Sequence, residues 1–303
     1  MAWSSAGLAA DEITNFAADH PIAAGLHALS GSAFAARWNT AGTIAAADVS
    51  ATGYPALNAG DFRGTVPTKP NTTATTWYHV MDLGASGVPD VDMALLLNHN
   101  LGTIGGMTVT LEIADTSDFT GGTFQVIATW TPGSSSLRLV EYTLKHTGSA
   151  ALRYSGLRYV RLKFVNAGAV TPQFGELWLG RRRQFSTDPA IGYDEREAAG
   201  TASAFAFDDG TSLIYSWNGD GPAQKAIRFP ALSSTDATLA LAVRDDCKRG
   251  TRPILWCDQP STAANRTLLM VPPTAMRRPT LGGGKRAFAL DLREQDTFRE
   301  SES

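Results

Sequence analysis

Acid–base chemistry in this chain would have to be built from five histidines, and all of them (His20, His27, His79, His99 and His146) precede residue 147. The second half therefore has no imidazole base. No G-x-S-x-G elbow occurs, and Gly84-Ala85-Ser86-Gly87 is one residue too short to be one. A serine triad is defined by geometry rather than chain order, so one confined to the first half stays open, but no spacing favours it. Three acid pairs could be imagined as a glycosidase acid and base: Asp90 with Asp92, Asp208 with Asp209, and Asp245 with Asp246. Separation in space decides that role. Each pair sits at a strand edge or turn, where Asp is ordinary. The expectation is a protein that is not an enzyme.

Metal chemistry finds no better footing. H-x-x-x-H, H-E-x-x-H and C-x-x-C are absent, and His79 and His99 fall on separate strand-like runs. DTSDFTGG (115–122) lacks the D-x-D-x-D-G spacing and closing Glu of a calcium loop, so it reads as a hairpin turn. The two cysteines, Cys247 and Cys257, flank KRGTRPILW, which could be a hairpin setting them opposite each other. Reduced thiols are the expectation for a chain made in the cytoplasm. The residues by themselves call for no cofactor.

Arg181, Arg182 and Arg183 form the densest positive run. Arginine dominates the basic residues, 20 Arg to 6 Lys, and arginine is enriched in protein interfaces. The run is either a subunit-contact surface or a solvated linker. No aromatic–basic strand pattern accompanies it, so nucleic acid is not an expected partner.

Positioning these groups falls to β-strands. TWYHVMDLG (76–84), DMALLLNHN (92–100), MTVTLEIAD (107–115), TFQVIATW (123–130), RYVRLKFV (158–165) and FGELWLG (174–180) are rich in β-formers and bounded by turn residues. In RYVRLKFV, Tyr159 and Arg161 alternate with Val160 and Leu162; in FGELWLG, Leu177 and Leu179 oppose Glu176 and Trp178. Serial strands without intervening helices point to an antiparallel sandwich. Beyond residue 196, SAFAFDDGTSLIYSW (203–217) has a hairpin signal at Asp209-Gly210. Further strands are expected at 226–232, 237–245, 252–258, 266–272 and 286–292. Before residue 37 an Ala-rich stretch suggests one or two short helices, broken or restarted at Pro21.

The divisions that follow are an N-terminal helical or extended segment (1–36), a sandwich (37–180), a linker (181–196) and a second β-rich domain (197–303). The 303 residues suffice for two domains, with 43% apolar and 18% charged residues. A net charge of −3 argues against a partner bound through phosphates. No apolar run reaches the length of a membrane span. The N-terminus has no basic region of the kind that opens a signal peptide, and Asp11 and Glu12 interrupt its apolar residues.

ATGYPALNAGDF (51–62), TTWYHVMDLG (75–84), MTVTLEIADTSDFTGG (107–122) and LRYVRLKFVNAG…FGELWLG (157–180) occur in the order seen in discoidin, or coagulation factor 5/8 type C, domains. Residues 37–180 resemble that family. The resemblance implies a jelly-roll sandwich whose loops at one end often bind carbohydrate or lipid. It departs where GDFRG (60–64) replaces the usual loop sequence and where 63–76 is enlarged, so the family's binding specificity does not carry over. In several such domains a structural calcium sits near the loop acid and the last-strand Glu. Here those positions are Asp61 and Glu176, with Thr75 or Thr76 nearby. The plainer alternative is a turn-stabilising Asp and a solvent-facing Glu.

GELWLGRRR…P…GYD (175–194) makes the whole chain similar to a recurring type of bacteriophage protein. That resemblance implies a virion component of the tail or baseplate, assembled in the host cytoplasm. Such a distal-tail-like ring or adaptor is a homo-oligomer and contacts other tail proteins. The alternatives are a carbohydrate-binding module that adsorbs to host-surface glycan and a glycan hydrolase.

Overall fold

The computed structural model describes residues 22–27, 35–61, 66–84, 93–120, 124–132, 138–141, 158–186, 188, 195–197, 203–206, 212–215, 223–246, 253–257, 268–271 and 286–294. The first element, β1 (Ile22–His27), corrects an expectation: the stretch after Pro21 is a strand, not a restarted helix. Residues 1–21, where the first helix was expected, lie outside the described residues.

The sandwich is all-β, built of two antiparallel β-sheets. Its front sheet runs in the order β2 (Ala35–Asn39), β3 (Ala74–Asp82), β8 (Tyr159–Val170), β5 (Thr108–Ala114) and β6 (Gln125–Trp130), antiparallel throughout. The facing strands are β9 (Glu176–Gln184), β4 (Met93–Leu97) and β7 (Arg138–Glu141). Two short helical elements interrupt the strands: a 3-10 turn (Ala56–Gly60) and α1 (Leu101–Ile104). Alternation along β3 sends Trp77 and Met81 inward beside Trp38, Leu111, Leu162 and Phe164, against Ala94, Leu96, Leu177 and Leu179 of the other sheet. Burying large aromatics here contributes several kcal/mol each; Trp38→Ala would cost about 3–5 kcal/mol.

β9 does not alternate between wet and dry as FGELWLG suggested. Glu176, Leu177, Trp178 and Leu179 are all buried, because the strand lies inside a sheet and is covered on both faces. It also continues past residue 180. Its first half pairs with β4, Glu176 opposite Leu97, and its second half pairs with β1, Arg182 and Arg183 opposite Ala24 and Ala23. The arginine run expected in a linker is therefore strand.

β1 pairs on its other side with β14 (Ile254–Cys257). The sheet then continues through β15 (Leu268–Val271), β16 (Arg286–Glu294) and β13 (Ala223–Leu232) to β10 (Glu195–Glu197). One nine-stranded sheet thus spans both halves of the chain. β11 (Ser203–Ala206) and β12 (Ser212–Tyr215) make the separate hairpin expected around Asp209-Gly210.

Residues 237–245 were expected as strand and are instead most of α2 (Ser234–Asp246). Asp236, Ala237, Ala240 and Val243 form its buried stripe at helical spacing. Ser233 caps it, its Oγ accepting the Asp236 N–H at 3.0 Å. The helix packs on β1, β13, β16 and β9 over a core of Phe185, Phe229, Trp256 and Phe288. Phe185 and Phe229 stack at 5.0 Å.

Candidate functional site at the loop end of the sandwich

β2, β4 and β8 end, and β3, β5 and β9 begin, at the same end of the sandwich, so the three connections between them converge there. They are tied to one another rather than to solvent. Thr68 and Phe174 exchange both backbone bonds (2.7 and 3.2 Å), and Trp38 Nε1–H donates to Thr68 Oγ1 at 2.6 Å. Ala51 N–H donates to Lys69 O and Asn71 N–H to Val49 O, both at 2.9 Å. Asn100 works as a clasp: its Oδ1 accepts Gln173 N–H at 2.8 Å while its Nδ2 donates to Thr171 O at 3.2 Å.

The 3-10 turn at this end comes from GYPALNAG, where Pro55 is extended (φ −61°, ψ 150°) just before the first helical residue. Ala56, Asn58, Ala59 and Gly60 are buried, leaving Leu57 projecting and 49% exposed. Two side chains hold the turn. Asn58 Nδ2 donates to Pro67 O at 3.1 Å, and His79 Nε2 lies 2.9 Å from Ala56 O. A carbonyl only accepts, so Nε2 carries the proton. Beside the turn, Lys69 Nζ stands 3.9 Å over the half-buried Tyr54 ring. Val66, on the same connection, is 38% exposed.

The histidines are structural here. His79 is fully buried and His99 nearly so, and burial pushes both well down, to about 4. His99 Nδ1 accepts Leu101 N–H at 3.3 Å. Neither stands in a serine or metal arrangement, and among the described residues no group of three or more His, Cys, Asp or Glu is placed to hold a metal ion.

Asp61 follows the turn, and Glu176 opens β9, against which the turn packs. The fold thus brings the two elements of the calcium expectation together. Glu176 is not the solvent-facing residue of the plainer reading, being fully buried. Calcium takes six to eight oxygens, so backbone carbonyls and water would have to complete a set begun by these two acids.

The other singled-out residues are scattered. Asp115 to Thr120 make the expected hairpin turn, where Asp118 accepts from Thr120 N–H and Oγ1–H, holding its carboxyl below the usual range. Arg183 pairs with Asp246 at 3.1 Å, and Asp245 with Arg244 at 3.0 Å, so the acids of that pair serve α2. β9 carries Arg181 and Arg182. Asp90, Asp92, Asp208, Asp209, Cys247, His20 and His146 lie outside the described residues, so any pairing of Cys247 with Cys257 does too. No described helix is long and apolar enough to cross a membrane.

Sequence reasoning passed over a second cluster on the outer face of the front sheet. Arg161 donates through Nε to the carboxylate of Glu112 and through Nη1 to Gly42 O at 2.8 Å. Phe119 and Tyr78 lie against its guanidinium at 4.2 and 4.9 Å. Arg161 and Glu112 both stand on the wet-looking face of their strands, so their burial under a covering loop had no signal in the sequence.

No family model and no curated protein matches the chain. Among solved structures it is similar to a GH29 fucosidase of Ruminococcus gnavus, with 10% identity and TM-score 0.36; the match covers 52% of this chain and 27% of that one. It is also similar to chitosan-binding module 1 of a chitosanase/glucanase from Paenibacillus sp. IK-5, with 15% identity over 48% of this chain and 92% of that one, TM-score 0.34. A third is the family 32 carbohydrate-binding module of C. perfringens NanJ in complex with galactose, with 11% identity over 54% of this chain and 99% of that one, TM-score 0.32.

Proposed function

We propose that the chain is a non-catalytic carbohydrate-binding protein that presents the loop end of its sandwich to a glycan. The observation that carries this reading is the Lys69 ammonium over the Tyr54 ring beside a turn held by the Asn58 and His79 hydrogen bonds, with Leu57 and Val66 exposed on the same connection. An aromatic and aliphatic surface suits the C–H face of a sugar, and an ammonium beside it suits hydroxyl or carboxylate oxygens. A turn ordered in advance spares the complex much of the entropy of binding. In this reading the second lobe anchors the sandwich to its assembly. We place that assembly in a bacteriophage tail, on the strength of the resemblance around residues 174–194, with β9 and its arginines at the joint.

Glycan arrays and calorimetry with the full chain test the binding. Tyr54→Ala and Lys69→Ala should each weaken it at least tenfold without lowering Tm by more than a few degrees. Failure of the unmodified protein to bind any glycan would refute the reading. Mass spectrometry of purified particles tests the placement, through stoichiometric presence or absence. A structural calcium between Asp61 and Glu176 is a separate proposal: excess chelator should then lower Tm, and an unchanged curve would leave both acids with structural roles only.

A further inference from the structure

We infer that His79 is an acid-operated latch beneath the 3-10 turn, so that protonating its ring frees Ala56–Gly60 from the sandwich while the second lobe keeps its fold. The ring sits on the inward face of β3 with no exposure, and Trp38 and Phe174 stand edge-on to it at 5.0 and 5.1 Å. One nitrogen holds the turn through Ala56 O at 2.9 Å; the other, Nδ1, has no partner among the described residues. That arrangement suits neutral imidazole. The imidazolium would carry a second N–H with no acceptor and a full charge inside an aromatic enclosure, both costly.

Charged groups on the surrounding elements do not supply the missing acceptor. Asp48, after β2, already receives Trp38 N–H, Ser50 N–H and Ser50 Oγ–H on Oδ1, at 2.9, 3.2 and 2.8 Å. Asp61 ends the turn, and Glu176 begins β9. Arg161 and Lys163 of β8 lie with Tyr78 on the opposite face of the sheet. Burial therefore dominates, lowering the histidine to about 4 against the raising effects of the Ala56 bond and Asp48.

The turn is the part that yields. It is a five-residue 3-10 segment without a side-chain cap. β3, by contrast, is paired on both sides, with β2 and β8. Short 3-10 segments have little stability of their own, so a cation that must reach water displaces the turn before the strand. The inference concerns the turn itself and holds whether or not a glycan binds there.

Amide hydrogen exchange of the full chain at pH 7.5 and 4.5, corrected for intrinsic rates, tests it. Opening of 56–60 should rise roughly tens of fold at pH 4.5 and stay well more frequent than opening of β14. His79→Gln, which can still donate to Ala56 O but cannot become a cation, should abolish the rise. Unchanged protection of the turn at pH 4.5, opening of β14 as frequent as that of the turn, or the same rise in His79→Gln would each overturn the latch. Should His79→Gln fail to fold, the NMR titration of the His79 ring in the unmodified protein decides. A midpoint well below 6 supports the latch, and one at or above 6.5 refutes it.

Discussion

Gly42 is the residue on which the outer cluster closes. Its φ is +74°, and an added Cβ would lie 2.9 Å from Arg161 Nη1 and 3.2 Å from the Tyr78 ring. Gly42→Ala should therefore cost about 1–3 kcal/mol, read as a lower urea midpoint. Phe119, opposite, also accepts a left-handed backbone (φ 55°) to lay its ring on the guanidinium. The ion pair inside is nearly out of water, with side-chain exposures of 12% for Arg161 and 4% for Glu112. Glu112→Gln should cost about 3–5 kcal/mol, because it leaves a buried cation without its carboxylate. A loss under 1 kcal/mol would show that the aromatic rings and Gly42 O suffice.

His99 makes a different residue-scale prediction. Its folded value of about 4 lies below the ordinary 6.5, so folding favours the neutral ring. Its contribution is complete above pH 6.5, shrinks as pH falls toward 4 and is gone below that. The fall is on the order of 3 kcal/mol. His99→Gln, keeping an acceptor for Leu101 N–H, should flatten that part of the stability–pH curve in urea titrations.

At the scale of elements, the strands of the sandwich were legible because alternation and turn residues coincide, as in Trp77, Met81 and the flanking Gly84. α2 was not, because ATLALAVRD alternates apolar and small residues like a strand. The signal that would have found it stands just upstream: Ser233 followed three residues later by Asp236 is a capping pattern. In the fold that aspartate turns away from the helix. Its two oxygens accept Ser186 N–H at 2.9 Å and Ser186 Oγ–H at 2.7 Å, tying α2 to the end of β9. Asp236→Ala should lose about 1–3 kcal/mol, checked by chemical denaturation, without loss of helix signal in circular dichroism. β1 was illegible for another reason. IAAGLH has one β-branched residue, so its extended form comes from pairing on both sides rather than from propensity. The candidate site was half visible: GYPALNA marked the turn, whereas the partnerships of His79, Asn58 and Lys69 depend on residues far apart in sequence.

For the whole molecule, one nine-stranded sheet runs from the strands of the sandwich into the second half of the chain. β9 is a backbone rail from Glu176 in the sandwich to Gln184 beside β1, and Arg183 is drawn back onto Asp246. Calorimetry should accordingly show sandwich and second lobe unfolding in one transition. Trypsin should leave the bond after Arg183 intact until that transition. Two resolved transitions, or an early cut at Arg183, would restore the linker. Proline at Ala24, a position paired with both Leu255 and Arg182, should lower that single transition by several degrees.

The place of β1 also sets a timetable for the ribosome. The strand emerges early, yet one of its neighbours ends at Gln184 and the other at Cys257, about 230 residues after β1 itself. At 5–20 residues per second, the nascent chain carries an unfinished seam for roughly ten to forty-five seconds. A segment of Ala and Gly with little β-propensity is a safe thing to leave waiting, since it offers a poor template for pairing with another nascent chain.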